Sequence, residues 1–333
     1  MSSSKISILI IDDLHPCFFE QDFAGFDISY MPDIEPEQVK IELIHHHVLI
    51  VRSKVVVDKN LCEFATHLKL VARAGSGLDN LDTQWLSDNH IAYLNTPEAN
   101  GLAVAEQTLG MLLSLMSNIV KSHQEVKNLI WDREGNRGDE LSGKTIGIIG
   151  YGHTGSQFAK LLNGFDVNIL VYDKYKSGFG TDRIIESEMP AIFHQADILS
   201  LHIPLTKETQ NLINDDYIAQ FKKPIRLLNL SRGAIVNLNT IIEELKSHKI
   251  IGFATDVLPN EKMNQLSKSE LLILNELKAC DNVIITPHIG GWTIQSYKKI
   301  ALSLALKIKA FFQKNTDLLF GFQELKIKDL TNI

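Results

Sequence analysis

The chain has 333 residues, 44% of them hydrophobic and 22% charged, a balance that supplies a large core and, at roughly 150 residues per domain, about two domains. A net charge of −7 with no long basic run argues against nucleic acid as the main partner, because a phosphate backbone needs clustered Lys and Arg. The three cysteines, Cys17, Cys62 and Cys280, are scattered and odd in number, so they make neither a disulfide framework nor a metal knuckle and suit a reducing cytoplasm.

In chain order, the opening run ISILII meets Asp12-Asp13 at once and reads as a strand, not a signal peptide. KISILII, HHVLIV, LKLVARAG and IAYLNT are strand candidates. Between them EPEQVKIELIHH, VDKNLCEFATH and NLDTQWLSDNH have the length and charge of helices. This alternation predicts βαβ units around a parallel sheet. One long helix is expected next, over 101–130, apolar nearly all round at LGMLLSLM and therefore buried on several sides, at a domain junction or between subunits. Glu106, Gln107 and Lys121 lie too close to that run for a membrane span, and no apolar stretch approaches the roughly 18 residues a span needs. A soluble, intracellular protein without a membrane partner is the expectation.

After the polar connector WDREGNRGDELSG a second series begins, with strand candidates KTIGIIG, VNILVYD, ADILSLHIP, RLLNLS, IIGFATDV and NVIITPH. Each is a near-continuous apolar run, as expected of parallel strands covered on both faces. The end of the chain, from TIQSYKKIALSLALKIKAFF, reads as an amphipathic helix and a tail.

Three features carry chemistry. Gly150-x-Gly152-x-x-Gly155 follows a strand and opens a helix, and the next strand ends at Asp173, 18 residues after Gly155. Gly150 allows the tight turn, Gly152 lets the backbone approach a pyrophosphate at the helix N-terminus and Gly155 permits close packing, while Asp173 binds the ribose hydroxyls. A carboxylate there repels a 2′-phosphate, so NAD is favoured over NADP, with Lys174 and Lys176 close enough to soften the discrimination. Reducing a 2-keto acid then requires a cation for the carboxylate and carbonyl, an acid for the developing alkoxide, and a group that tunes the acid. Arg232, His288 and Glu261, each just past a strand, are the candidates for those three functions in turn. Singly, each has a bland reading as a surface ion pair, a core histidine or a loop acid.

The stretches LSGKTIGIIGYGHTG, LLNLSRGAIVN, DVLPNE and TPHIGG, in this order, resemble the signatures of the D-2-hydroxyacid dehydrogenase family, over most of the chain from about Val48 to Trp292. The resemblance implies an α/β fold of two doubly wound parallel-sheet domains. A flavodoxin-like substrate domain (1–98 plus 295–333) would hold an inserted Rossmann NAD-binding domain (99–294), with the active site in the cleft between them. It also implies that Arg232 binds substrate, Glu261 orients the histidine and His288 is the proton donor and acceptor. Asp256 matches the position that contacts the nicotinamide carboxamide, and His153, Thr154, Pro204, Leu230, Ser231, Gly290 and Gly291 join the expected cofactor contacts. Two departures stand out: Lys262 follows the glutamate where proline is common, and the segment between Glu261 and the next strand is long.

Within the family, LIVRSKVVVD, VARAGSGLDNLD, YLNTPEANGLAVAEQTLGMLL and WDREGNRGDELSGKT are most like the subgroup acting on 3-phosphoglycerate. Gly75, Ser76 and Gly77 form a small-residue loop whose backbone N–H groups suit a carboxylate. Arg52, with Ser53 beside it, and Arg73 suit a phosphate, and Asn100 adds a hydrogen bond. The alternative for both arginines is an internal ion pair with Asp79 or Asp82. Arg133 matches a position that in similar enzymes reaches the neighbouring subunit's substrate. A homodimer is expected, using the apolar helix near 101–120.

The triplet His45-His46-His47 invites a metal reading, but adjacent side chains diverge on a strand and fan by about 100° on a helix, so they cannot converge on one ion. No metal is expected. ILIIDD resembles the acidic pocket of response-regulator receivers, yet HHVLIV ends in Arg52-Ser53 and lacks the phosphoacceptor aspartate. A dehydrogenase for another 2-keto acid, or an NAD-sensing corepressor of the same fold, are the alternatives that motifs alone leave open.

Overall fold

The computed structural model describes residues 5–313. The chain divides into two compact units, one taking the residues up to Asn100 together with those from Trp292, the other Gly101–Gly291. The final tail expected from the sequence lies outside the described residues.

In the first unit, strands β1 (Ile6–Ile10), β2 (Phe26–Tyr30), β3 (Val48–Val51), β4 (Leu70–Arg73) and β5 (Ala92–Leu94) pair in parallel in the order β2-β1-β3-β4-β5, the flavodoxin-like arrangement. Helices α1 (Pro36–Leu43), α2 (Lys59–Cys62) and α3 (Thr83–Asp88) connect them, α2 and α3 each started by an aspartate, Asp58 and Asp82, that caps the first turn. Successive strand residues face opposite sides. Ile8 and Ile10 join one buried cluster and Leu9 and Ile11 another, which is why β1 reads as an unbroken apolar run.

The long helix expected over 101–130 is two helices. α4 (Pro97–Met116) and α5 (Ile119–Lys127) meet at a 63° bend, with Asn118 in the left-handed region at φ +51°. Asn tolerates that conformation better than other non-glycine residues. Leu112, Leu115 and Met116 of α4 pack with Ile146, Ile148 and Leu228, whereas α5 buries nothing. Among the described residues no single helix is long and apolar enough to cross a membrane.

The second unit has seven parallel strands, β6 (Thr145–Ile149), β7 (Asn168–Tyr172), β8 (Ile184–Glu186), β9 (Ile198–Leu201), β10 (Ile225–Asn229), β11 (Ile250–Thr255) and β12 (Val283–Ile285), in the order β12-β11-β10-β9-β6-β7-β8. This is the Rossmann order, whose direction reverses between β6 and β9. Its helices are α6 (His153–Leu161), α7 (Met189–Gln195), α8 (Asp215–Ala219), α9 (Leu238–Lys246) and α10 (Lys268–Lys278). The long segment after Glu261 forms a short 3-10 turn, Met263–Gln265, and then α10, whose start is fixed by a reciprocal capping box between Ser267 and Glu270.

The last helix, α11 (Ile294–Phe312), belongs to the first unit. Its Ile300, Ala301, Leu304 and Ala305 pack in the same cluster as Ile8, Ile10, Val48 and Ile50. Two strands, β2 and β8, were not anticipated from the sequence. Both are sheet edges, with exposed residues in place of a continuous apolar run.

Candidate active site

The glycine loop of the second unit starts where β6 ends. Gly150 sits at φ +95°, and a Cβ there would strike the His202 carbonyl; a Cβ on Gly155 would strike the carbonyl of Gly150 itself. Gly152 precedes α6, which opens with His153 and Thr154, and a Cβ on Gly152 would meet nothing within 4 Å. Asp173, just past β7, accepts the Tyr151 N–H at 2.7 Å on Oδ2 and the Tyr175 and Lys176 N–H groups at 2.9 and 3.0 Å on Oδ1. Three of its roughly four acceptor sites are filled, leaving capacity for a ribose hydroxyl. Lys174 pairs with Glu208, and Lys176 donates to the Tyr151 carbonyl at 3.0 Å. Both cations that would welcome a 2′-phosphate are thus engaged. The residues fit NAD.

On the far side of the reversal, Pro204 follows β9 and its carbonyl accepts the Thr209 hydroxyl at 2.7 Å. Ser231 donates its hydroxyl to the Leu201 carbonyl at 2.6 Å, so only its lone pairs remain for a cofactor, and Leu230 is nearly buried. Asn229 shapes the turn that presents Arg232. Its Oδ1 accepts the Ser231 N–H at 3.1 Å and its Nδ2 donates to the Arg232 carbonyl at 3.0 Å. The Arg232 guanidinium donates to the Ser231 carbonyl at 2.7 Å, so its charge is held at the tip of β10.

His288 and Glu261 meet as expected. Nδ1 of His288 lies 2.9 and 3.0 Å from the two carboxylate oxygens of Glu261. An ionised carboxylate only accepts, so Nδ1 carries the proton of the neutral ring and Nε2 is left as its acceptor nitrogen. Burial pushes the Glu261 carboxyl up, but the hydrogen bond and charge of His288, the Leu258 N–H and the charge of Arg232 outweigh it, and the carboxyl sits below its ordinary value.

The backbone of His288 is in the left-handed region at φ +56°. What holds it there is Asp256, 2% exposed. Asp256 Oδ1 accepts Thr286 Oγ1, Gln107 Nε2 at 2.9 Å and the Ile289 N–H at 3.0 Å, while Oδ2 accepts the Gly290 N–H at 2.7 Å. Gln107, on α4, also donates to Thr286 Oγ1 at 2.9 Å. The carboxylate expected to face the nicotinamide therefore also fastens both sides of the histidine turn, with Gly291 next in the chain. Gln107, Thr286 and Asn229 were not singled out by sequence reasoning for these roles, because each acts through residues distant in the chain or through a turn not visible locally.

In the first unit Arg52 and Ser53 follow β3, Arg73 ends β4, and Gly75, Ser76 and Gly77 follow it. Ser76 donates its hydroxyl to Asn100 Oδ1, and its carbonyl accepts Asn95 Nδ2 at 2.6 Å. Arg73 lies against Gly75, filling the place of a Cβ. The backbone N–H of Arg52 donates to Asp12 Oδ2 at 2.7 Å. Its guanidinium stacks over Trp292, 4.2 Å from the ring centre, and lies 5.5 Å from that of Tyr297. Asp82, one of the suggested ion-pair partners, caps α3 through the Trp85 N–H. The histidine triplet diverges: His46 bonds the Glu42 carbonyl and Ser29, His47 bonds Ser7.

The family described as D-isomer specific 2-hydroxyacid dehydrogenase, NAD binding domain, has a model that matches residues 109–290. The chain is 36% identical over 262 residues to a hydroxypyruvate reductase of Thermotoga maritima, covering 78% of this chain and 83% of that one. It is 32% identical over 309 residues to a D-3-phosphoglycerate dehydrogenase of Methanocaldococcus jannaschii, covering 91% of this chain and 57% of that protein's length. Among solved structures, a D-lactate dehydrogenase from Aquifex aeolicus, complexed with NAD and lactic acid, superposes with a TM-score of 0.82 at 25% identity, covering 95% of this chain and 98% of that one.

Proposed function

Because the chain belongs to the D-isomer-specific 2-hydroxyacid dehydrogenases and its cofactor is NAD, we propose that it interconverts a D-2-hydroxy acid and its 2-keto acid, with 3-phosphoglycerate and 3-phosphohydroxypyruvate the leading pair. The observation that carries this reading is the His288–Glu261 pair, which leaves the imidazole Nε2 free to exchange one proton with a substrate oxygen.

Bound NAD supplies the two-electron redox chemistry, and Gly150, Gly152, Gly155, His153, Thr154 and Asp173 are the residues that would hold it. Arg232 binds the substrate carboxylate and polarises the carbonyl. His288 gives its proton to the carbonyl oxygen in reduction and takes the hydroxyl proton in oxidation. Glu261 keeps the ring in the tautomer with Nδ1 protonated and compensates the charge of the imidazolium. Asp256 and Gln107 hold the turn on which His288 stands.

The phosphorylated substrate is favoured by the similarity to a D-3-phosphoglycerate dehydrogenase over most of this chain and by Arg52, whose guanidinium has no carboxylate within 4.0 Å among the described residues. Arg52, Ser53, Arg73, Gly75, Ser76, Gly77 and Asn100 are the proposed substrate contacts. The second reading, an unphosphorylated acid such as hydroxypyruvate, is favoured by the 36% identity to a hydroxypyruvate reductase. We further propose a homodimer. Leu129 and Trp131 are 95% and 80% exposed, beside the half-exposed Ile119, Val126 and Ile130, an apolar surface of the kind that marks an interface. The free thiols suit a cytoplasmic setting.

The test is NADH oxidation with 3-phosphohydroxypyruvate beside hydroxypyruvate, glyoxylate, pyruvate and 2-ketoglutarate. Preference for the phosphorylated acid supports the leading reading, preference for hydroxypyruvate moves the second ahead, and turnover of none overturns both.

A further inference from the structure

A guanidinium withdrawn from water is ordinarily neutralised by a carboxylate with which it shares hydrogen bonds. Arg52 is arranged differently. Burial pulls its pKa down, against the pull of Tyr297, Asp12 and Asp13, yet its side chain rests on aromatic faces and not on an acid. The nearby acids are engaged elsewhere. Asp12 accepts the Arg52 backbone N–H, and Asp13 is claimed by two phenols, Tyr297 on Oδ2 and Tyr30 on Oδ1 at 3.3 Å. Trp292 and Tyr297 themselves touch, their ring centres 5.7 Å apart, and His15 packs edge-on against Tyr297 at 5.3 Å. All of these residues belong to the first unit.

A cation–π contact satisfies the charge of a guanidinium without using its N–H hydrogen bonds, so those directional donors stay available. We propose that Trp292, braced by Tyr297, is a positioning residue that determines specificity: it holds the Arg52 guanidinium for a second anionic group of the substrate, a phosphate or a further carboxylate. The two phenols on Asp13 serve the same end, because a carboxylate satisfied by O–H donors does not collapse onto the arginine and quench it. Glyoxylate has a single carboxylate, which the proposed function assigns to Arg232, so it brings no group for Arg52 to bind. A phosphate or second carboxylate gains a guanidinium already held in place by the aromatic rings. The inference rests on the reading of Arg52 as a substrate contact.

The experiment compares wild type, Trp292→Ala, Trp292→Phe, Arg52→Ala and the Trp292→Ala/Arg52→Ala double variant in the reduction of 3-phosphohydroxypyruvate and glyoxylate. For Trp292→Ala the ratio of kcat/KM, phosphorylated acid over glyoxylate, should fall about tenfold, on the scale of a desolvated cation–π contact, and the fall should lie in KM. Trp292→Phe should restore most of it. Arg52→Ala should lower the ratio at least as far, and the double variant no further than Arg52→Ala alone. A ratio that holds in Trp292→Ala, or a double variant whose loss is the product of the single losses, overturns the proposal.

If the wild type itself does not prefer the phosphorylated acid, the substrate reading fails on its own, and the platform is read from binding. In a Trp85→Phe/Trp131→Phe background, inorganic phosphate should change the fluorescence of Trp292, and Arg52→Ala should remove the response. No response with Arg52 present would overturn it.

Discussion

Asp256→Asn is the substitution that most directly probes how His288, the proposed acid–base group, is held. The amide keeps the shape of the carboxylate. With its oxygen in the Oδ1 place it retains Gln107, Thr286 and Ile289 as donors, but its NH2 then faces the Gly290 N–H, donor against donor, across what is now a 2.7 Å bond. Losing one hydrogen bond to a charged group costs about 1.5–3 kcal/mol. The left-handed backbone of His288 costs about 1–2 kcal/mol relative to a relaxed conformation, so the lost bond is comparable to the strain it restrains, and the turn should relax. A loss near 2 kcal/mol corresponds to a Tm about 4–8 °C lower for a unit of this size. An imidazole displaced by about 1 Å should cost about a hundredfold in kcat. The assay pairs differential scanning calorimetry with steady-state reduction and NADH titration by fluorescence. Were NADH affinity to fall tenfold while Tm and kcat stayed near wild type, Asp256 would be a cofactor contact that leaves the histidine turn unaffected, and the reasoning would be wrong.

Arg232→Ala should lower kcat/KM by about 10²–10³-fold, as for the loss of an oxyanion donor, with NADH binding within about twofold of wild type; equal loss of NADH binding would refute the assigned role. His288→Ala should cut kcat about 10²–10⁴-fold and flatten the pH profile, and an unchanged profile would point to another proton donor. Desolvation holds the pKa of His202, which packs on Phe158 and bonds Ser200 at 2.9 Å, down to about 3, against an ordinary 6.5. The unfolded chain therefore takes up the proton first. The stability this residue contributes is present above pH 6.5 and is lost as pH falls, by up to about 1.4 kcal/mol per unit. Urea unfolding between pH 7.5 and 5.5 should show a shallower loss in His202→Gln than in wild type, and equal slopes would contradict this. For the quaternary state, light scattering at micromolar concentration should give twice the mass of one chain, and Leu129→Asp should shift it toward the single mass.

How far the sequence could be read follows from how local each signal is. Strands buried on both faces, such as β6 and β10, declare themselves as apolar runs, and the glycine spacing with Asp173 is complete within some two dozen residues. The edge strands β2 and β8 are half covered and carry no such run. The break between α4 and α5 was hidden because the residues on both sides favour helix, and the turn depends on one asparagine adopting positive φ. The added length after Glu261 resolved into a capped helix, although SKSE is a capping signature that could have been read locally.

The sequence by itself therefore determined the parallel-sheet architecture, the cofactor loop and the chemical types at Arg232, Glu261 and His288, because each of these is encoded by neighbours in the chain. Only the tertiary structure decided how those groups are held. Gln107 reaches Asp256 across 149 residues and Tyr297 reaches Asp13 across 284. Partners at such separations share no periodicity or spacing. They are chosen by which strand ends the fold places side by side, where a carboxylate takes whichever donors the packing delivers and a cation rests on whichever faces remain.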